Sequence, residues 1–168
     1  MQRRATLSLM ASAVALSLAG CGFAPRKAPN FAFNTLYSAI AEGSPLGVEL
    51  RRSLQATGKV KVIADAAQIN QAQVVLEVLS EQREKVVLSL NTAGQVREFQ
   101  LRLRFRFRLR TLAGKELISD ADIALQRDIS FNETAVLAKE AEEGLLYRDM
   151  QSDIVQQVLR RLAAVKEL

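Results

Sequence analysis

The longest regular pattern in the chain is an alternation. From Val96 to Arg110, VREFQLRLRFRFRLR, apolar residues at 99, 101, 103, 105, 107 and 109 alternate with polar ones. Six alternations cannot form one apolar stripe on a 3.6-residue helix, but on a strand they put Phe99, Leu101, Leu103, Phe105, Phe107 and Leu109 on one side. Arg102, Arg104, Arg106, Arg108 and Arg110 then share the other side, in a line about 27 Å long with steps close to 7 Å. Such a row is either neutralised by neighbouring strands or held open for an anionic ligand or partner.

The rest of the chain supplies elements for that strand to pack with. FAFNTLYS, from Phe31 to Ser38, reads as a first strand. Ser44-Pro45 is a helix start, with Ser as N-cap and Pro at the first helical position, and Gly58 suits the residue after the helix ends. Leu46, Leu50 and Leu54 share a face of that helix. KVKVIA, from Lys59 to Ala64, alternates as a short strand, and Asp65 to Gln73 is a polar, alanine-rich connection. Val74 to Leu90 reads as a long strand whose phase changes near Arg83 to Lys85, predicting a β-bulge there. Asn91 to Gly94 supplies a turn, so this strand and the arginine strand form a hairpin. A second turn at Ala113-Gly114 leads to a strand from Ser119 to Phe131, with Ile123, Leu125, Ile129 and Phe131 on one face and Asp120, Asp122, Gln126 and Asp128 on the other. Antiparallel pairing about Gly114 places Asp120 near Arg108 and Asp122 near Arg106, while Glu77 and Glu81 flank the row from the opposite strand.

The chain closes with a helix over roughly Thr134 to Lys166. In it Leu146, Met150, Ile154, Val158 and Leu162 recur every four residues, Val155 and Leu159 widen the stripe, and Gly144 marks a kink or a close approach. Together these elements predict an α+β fold: a two-layer sandwich with two helices packed on one face of a mainly antiparallel four- to five-stranded sheet.

Composition narrows the chemistry. The 168 residues are 49% hydrophobic and 24% charged, enough for one domain with a sizeable core, and they contain no His, no Trp and one Cys. Without His the commonest general base and metal ligand is missing, and one Cys makes neither an internal disulfide nor a zinc site. An enzyme would have to rely on a carboxylate dyad. Asp120 and Asp122 face the arginines, which lower a carboxyl pKa, the wrong direction for a general acid. The reading is therefore non-catalytic, with no cofactor and no metal.

The N-terminus sets the compartment. Arg3 and Arg4 precede an apolar run too short to span a bilayer, as in an export signal. Leu18-Ala19-Gly20-Cys21 then looks like a bacterial lipobox, in which the Cys is acylated and becomes the first mature residue. Residues 1–20 are read as the signal peptide, 21–30 as a lipidated tether with two prolines, and 31–168 as one domain. Acyl chains on Cys21 would tie the chain to one leaflet. Gly22, where sorted lipoproteins that stay behind carry Asp, points to the outer membrane, on its periplasmic side. Nucleic acid drops out as a partner. The net charge of +5 includes Arg3 and Arg4; without them the chain carries 21 basic and 18 acidic residues.

Several of these pieces resemble one family. Cys21-Gly22-Phe23 followed by Arg26, the helix PLGVELRRSLQATG, the hairpin end VREFQL and the tail VLAKEAEEGLLYRDMQSDIVQQVLRRL are similar to LptE, the lipopolysaccharide-assembly lipoproteins, over about Cys21 to Leu162. The resemblance implies a plug inside a large outer-membrane β-barrel, LptD, and a role in delivering lipopolysaccharide to the outer leaflet. It also implies lipopolysaccharide contacts by a basic residue at the hairpin tip and by a Lys near the start of the last helix. Lys139 matches the second. The tip, Leu90 to Gln95, holds no basic residue, so Arg97 and Lys85 are the nearby substitutes. Phosphates and acidic sugars are ligands that Arg and Lys meet with charge-assisted hydrogen bonds. A plainer role for Lys139 is an i+4 pair with Glu143. Arg102, Arg104, Arg106 and Arg108 are either a basic partner face or a cross-strand charge ladder. An auxiliary lipoprotein of another envelope lipid-transport system would share the lipobox, tether and fold.

Overall fold

The computed structural model describes residues 29–168, so Cys21 and most of the tether lie outside the described residues. Five strands, β1 (Thr35–Ser38), β2 (Lys61–Ile63), β3 (Val74–Leu90), β4 (Val96–Thr111) and β5 (Glu116–Ser130), form one sheet in the order β2-β1-β3-β4-β5. β1 runs parallel to β2 and β3, while β3, β4 and β5 form an antiparallel meander. Helices α1 (Pro45–Ala56) and α2 (Val136–Ala164) cover one face. The α+β two-layer sandwich expected from the pattern is the fold.

β4 lies inside the meander and its alternation is the floor of the core. Leu101, Phe105, Phe107 and Leu109 are fully buried and Leu103 nearly so. Leu50 and Leu54 of α1 and Met150, Ile154, Val158 and Leu162 of α2 complete the core, each no more than 1% exposed. α1 begins where the residues dictate: Ser44 Oγ accepts from Gly47 N at 3.0 Å, and Pro45 needs no N–H donor in the first turn. It ends at Thr57, with Gly58 at φ 66° continuing where a side chain would be strained.

Four expectations are corrected. The first two short strands are shorter than their patterns: Phe31 and Phe33 pack ring against ring at 5.5 Å, but ladder pairing starts only at Thr35, and β2 starts at Lys61. Aromatic character there reflects burial rather than pairing. The connection after β2 contains a 3-10 turn, Ala66–Gln71, capped by Asp65. The bulge is not at Arg83 to Lys85. Register shifts fall between Val78 and Ser80 and again between Val87 and Leu90, leaving Leu79 and Leu88 without partners. After the first shift Glu81, Arg83 and Lys85 stand on the helix side, opposite Phe105, Leu103 and Leu101. The sequence pattern misplaces the slip because these inward positions are charged. Fourthly, α2 begins at Val136 after a 3-10 turn, Glu133–Ala135, and runs as one helix through Gly144, where an added Cβ would meet nothing within 4 Å. No close approach requires that glycine.

Two substitutions check these local arguments. Gly144→Ala is expected to raise unfolding free energy by about 0.5–1 kcal/mol, and Ser44→Ala to lower it by about 1 kcal/mol, both read from urea titrations.

Candidate functional site

The uncovered face of the sheet carries the arginine row, and the strands on both sides meet it with carboxylates. Asp122 faces Arg106 in register, yet its side chain slants along the strand to Arg104, with Nη2–Oδ2 at 2.5 Å and Nε–Oδ1 at 3.0 Å. Arg106 pairs with Asp120. Glu77 bridges two arginines, accepting from Arg108 Nε at 2.5 Å and Arg110 Nε at 2.6 Å. Glu81, expected to flank the row, does not. The slip at Leu79 turns it to the helix side, where it accepts from Ser44 Oγ at 2.9 Å, and Glu84 takes the place opposite Arg102. Arg102 donates to Gln100 Oε1 at 2.8 Å and makes no ion pair among the described residues.

These contacts set the titration of the face. Hydrogen bonds from Arg110 and Arg108 hold the Glu77 carboxyl below the usual carboxylate range, and Arg104 does the same for Asp122. Asp122 and Asp120 in turn raise the guanidinium pKa values of Arg104 and Arg106. The pairs are solvent-exposed, so each contributes little to stability. Their consequence is that Arg104 and Arg106 present neutralised pairs and Arg108 and Arg110 share one carboxylate, whereas Arg102 borders a shallow hollow with Gln82, Glu84, Arg104 and Gln126.

The three other basic residues singled out from the sequence come together at the hairpin end of the molecule. Lys85 and Lys139 line one cleft of about 200 Å³, between the start of α2 and the ends of β3 to β5, floored by Phe99, Ile129 and Phe131. Arg97 lines the adjoining hollow with Gln95, Asn132 and Glu133, and Phe131 is common to both. Each lysine already holds a carboxylate. Lys85 Nζ lies 2.7 Å from Glu143 Oε2 and 4.2 Å from the centre of the Phe99 ring. Lys139 pairs with Glu142 at 2.8 Å and donates to Ser130 Oγ at 3.0 Å. The i+4 pairing of Lys139 with Glu143 is thus replaced by i+3 pairing with Glu142, since Glu143 is taken by Lys85.

A further contact was not legible in the sequence. The Tyr147 hydroxyl donates to the Glu84 carbonyl at 2.5 Å, and the Arg83 guanidinium sits 3.6 Å from the centre of its ring. Burial pushes the Tyr147 phenol pKa up. With Lys85–Glu143, this contact ties the outer half of β3 to α2 across a part of the sheet where β3 offers α2 charged side chains. The signal was the run Glu81-x-Arg83-x-Lys85 at period two, readable only once its facing is known.

Fold and site together define a class: a two-layer domain with one ion-paired polar sheet face and a cationic, aromatic-floored cleft at the far end of its hairpin. Proteins of similar structure include bacterial lipoproteins. Uncharacterized lipoprotein B of Nitrosomonas europaea, solved by NMR, is 36% identical, with a TM-score of 0.71 over 85% of this chain and 91% of that one. Rare lipoprotein B of Shewanella oneidensis is 25% identical, with a TM-score of 0.64 over 78% of this chain and 95% of that one. The LPS-assembly lipoprotein LptE of Pectobacterium atrosepticum is 26% identical over 165 residues, covering 97% of this chain and 88% of the relative. The model of the LptE family, described as lipopolysaccharide-assembly, matches residues 33–162. The chain belongs to the LptE family.

The carboxylates of the ladder make an acid-pH prediction. A carboxyl whose folded pKa is depressed adds stability at pH above its unfolded value, near 4, and loses it as pH falls through the folded value. Glu77→Gln is therefore expected to flatten the decline of stability below about pH 4, measured by urea unfolding at several pH values; an unchanged slope would show that Glu77 is not part of it.

Proposed function

We propose that the chain is a non-catalytic outer-membrane lipoprotein, anchored on the periplasmic side through acylated Cys21, that binds lipopolysaccharide and serves an LptD-like β-barrel as plug and assembly partner. Family membership over residues 33–162 is the observation that carries this reading. In it residues 1–20 are the export signal, 21–30 the tether and 31–168 the working domain.

The Lys85–Lys139 cleft, with Arg97 beside it, is the lipopolysaccharide site in this reading. Its cations suit phosphate and its Phe99, Ile129 and Phe131 floor suits an amphiphile. Binding there is an exchange: a phosphate oxygen replaces Glu142 or Glu143 as the partner of a lysine that is already paired. A charge-assisted bond is traded for another, so a ligand gains net energy only where it meets several cations together or fills the apolar floor as well. The arginine ladder serves as a polar wall in which Arg104, Arg106, Arg108 and Arg110 hold carboxylates before any partner arrives.

The test uses the mature chain with Lys139→Glu and Arg97→Glu, separately and together, and lipopolysaccharide capture as readout. Each reversal is expected to weaken capture several-fold and the pair by more than about tenfold; unchanged capture in both overturns the site.

A further inference from the structure

The two ends of the domain differ in charge, and the end where the tether enters is the basic one. Register places Thr35 beside Lys61, Val74 beside Thr111, and Arg110 beside Glu116, so the starts of β1, β2 and β3 and the β4–β5 turn lie at one edge of the sheet. The last residues after α2 return to the same edge, where Lys115 Nζ donates to the Leu168 carbonyl at 3.0 Å. The chain arrives there too, since Lys59 Nζ donates to Asn30 Oδ1. Of the seven lysines in the sequence, Lys59, Lys61, Lys115 and Lys166 are exposed at this end, and Lys27 stands three residues before Asn30. Only Glu116 and Glu167 oppose them on these segments, whereas the hairpin end holds Glu98, Glu133, Glu140, Glu142 and Glu143. Leu112, 41% exposed, projects from the β4–β5 turn beside Lys115.

We propose that this end is a docking surface for anionic phospholipid headgroups. The occupant follows from the tether. Asn30 lies nine residue steps beyond Cys21, and at no more than about 3.6 Å per step they keep the basic end within about 32 Å of the leaflet that holds the acyl chains. That step rests on acylation of Cys21; the charge pattern does not. The lysine type fits as well. Arg104, Arg106, Arg108 and Arg110 are fixed in ion pairs, while lysines lay long apolar stems against a headgroup layer and keep the ammonium at its surface. A basic patch beside a lipid anchor supplies the second attachment that acyl chains combine with, and each lysine within a Debye length of an anionic surface adds several-fold in affinity. Held this way before it enters a barrel, the domain keeps its Lys85–Lys139 cleft, about 40 Å along the hairpin, clear of the leaflet.

The experiment takes the mature chain with Cys21→Ser and measures cosedimentation with phosphatidylcholine vesicles, with and without one-third phosphatidylglycerol. Binding is expected only to the anionic vesicles, to weaken with added salt, and to fall by more than about tenfold in Lys59→Glu/Lys61→Glu. Arg148→Glu, an exposed reversal in the middle of α2, is expected to leave it within twofold. Equal binding to both vesicles, or an equal loss in Arg148→Glu, overturns the docking surface. Mass spectrometry of the unsubstituted chain from membranes tests acylation separately: an unmodified Cys21 contradicts the anchor and leaves the vesicle result to stand or fall alone.

Discussion

The alternation in β4 is the constraint on which the rest of the molecule depends. Because side chains on a strand alternate with period two, each residue that places Phe105 or Leu109 in the core places an arginine on the opposite face. A slip of one residue would bury five guanidinium groups, at a cost no packing could offset. The register of β4 is thereby set against that of β3 and β5, and the carboxylates of Glu77, Asp120 and Asp122 fall where the arginines must be met. The ladder adds little to stability pair by pair. Its value lies in excluding wrong registers in a long, exposed meander.

Elements with strong periodicity or explicit caps were legible in the sequence, and so was the family. β4 and its hairpin with β3, the start of α1 at Ser44-Pro45, and the four-residue stripe of α2 stand where their residues place them, because each rests on local rules. The failures are equally specific. The alternation puts the slip in β3 four residues late because it requires apolar inward positions, whereas Glu81, Arg83 and Lys85 point inward and find polar partners at the helices. Glu81 therefore stands on the helix face rather than beside the arginines. The partner of Lys139 could not be chosen between i+3 and i+4 on α2 alone, since Lys85, distant in sequence, claims Glu143. The convergence of Lys85, Lys139 and Arg97 at one end was implied by the hairpin, but the aromatic floor joining their sites was not.

The site and the fold share a logic of prior satisfaction. Most of the singled-out cations already hold an acceptor, so the domain presents few naked charges and is guarded against indiscriminate binding of anions. A ligand must offer several phosphates or an apolar part to displace what is there, a demand suited to an amphiphile. The contrast with the exposed lysines at the tether end separates two kinds of cationic surface on one small chain: one whose lysines hold carboxylates, the other whose lysines hold no side-chain carboxylate among the described residues. The outer half of β3, held to α2 by Tyr147, Arg83 and the Lys85–Glu143 pair, connects the hairpin end to the body of the fold.

The most direct measurement is affinity purification of the lipidated protein from outer membranes under mild detergent. The account predicts that one large β-barrel protein arrives with it in equal amount, and that the pair survives washing. Recovery of the lipoprotein alone, or with no barrel at fixed stoichiometry, would contradict its assignment as the plug and assembly partner of a lipopolysaccharide translocon.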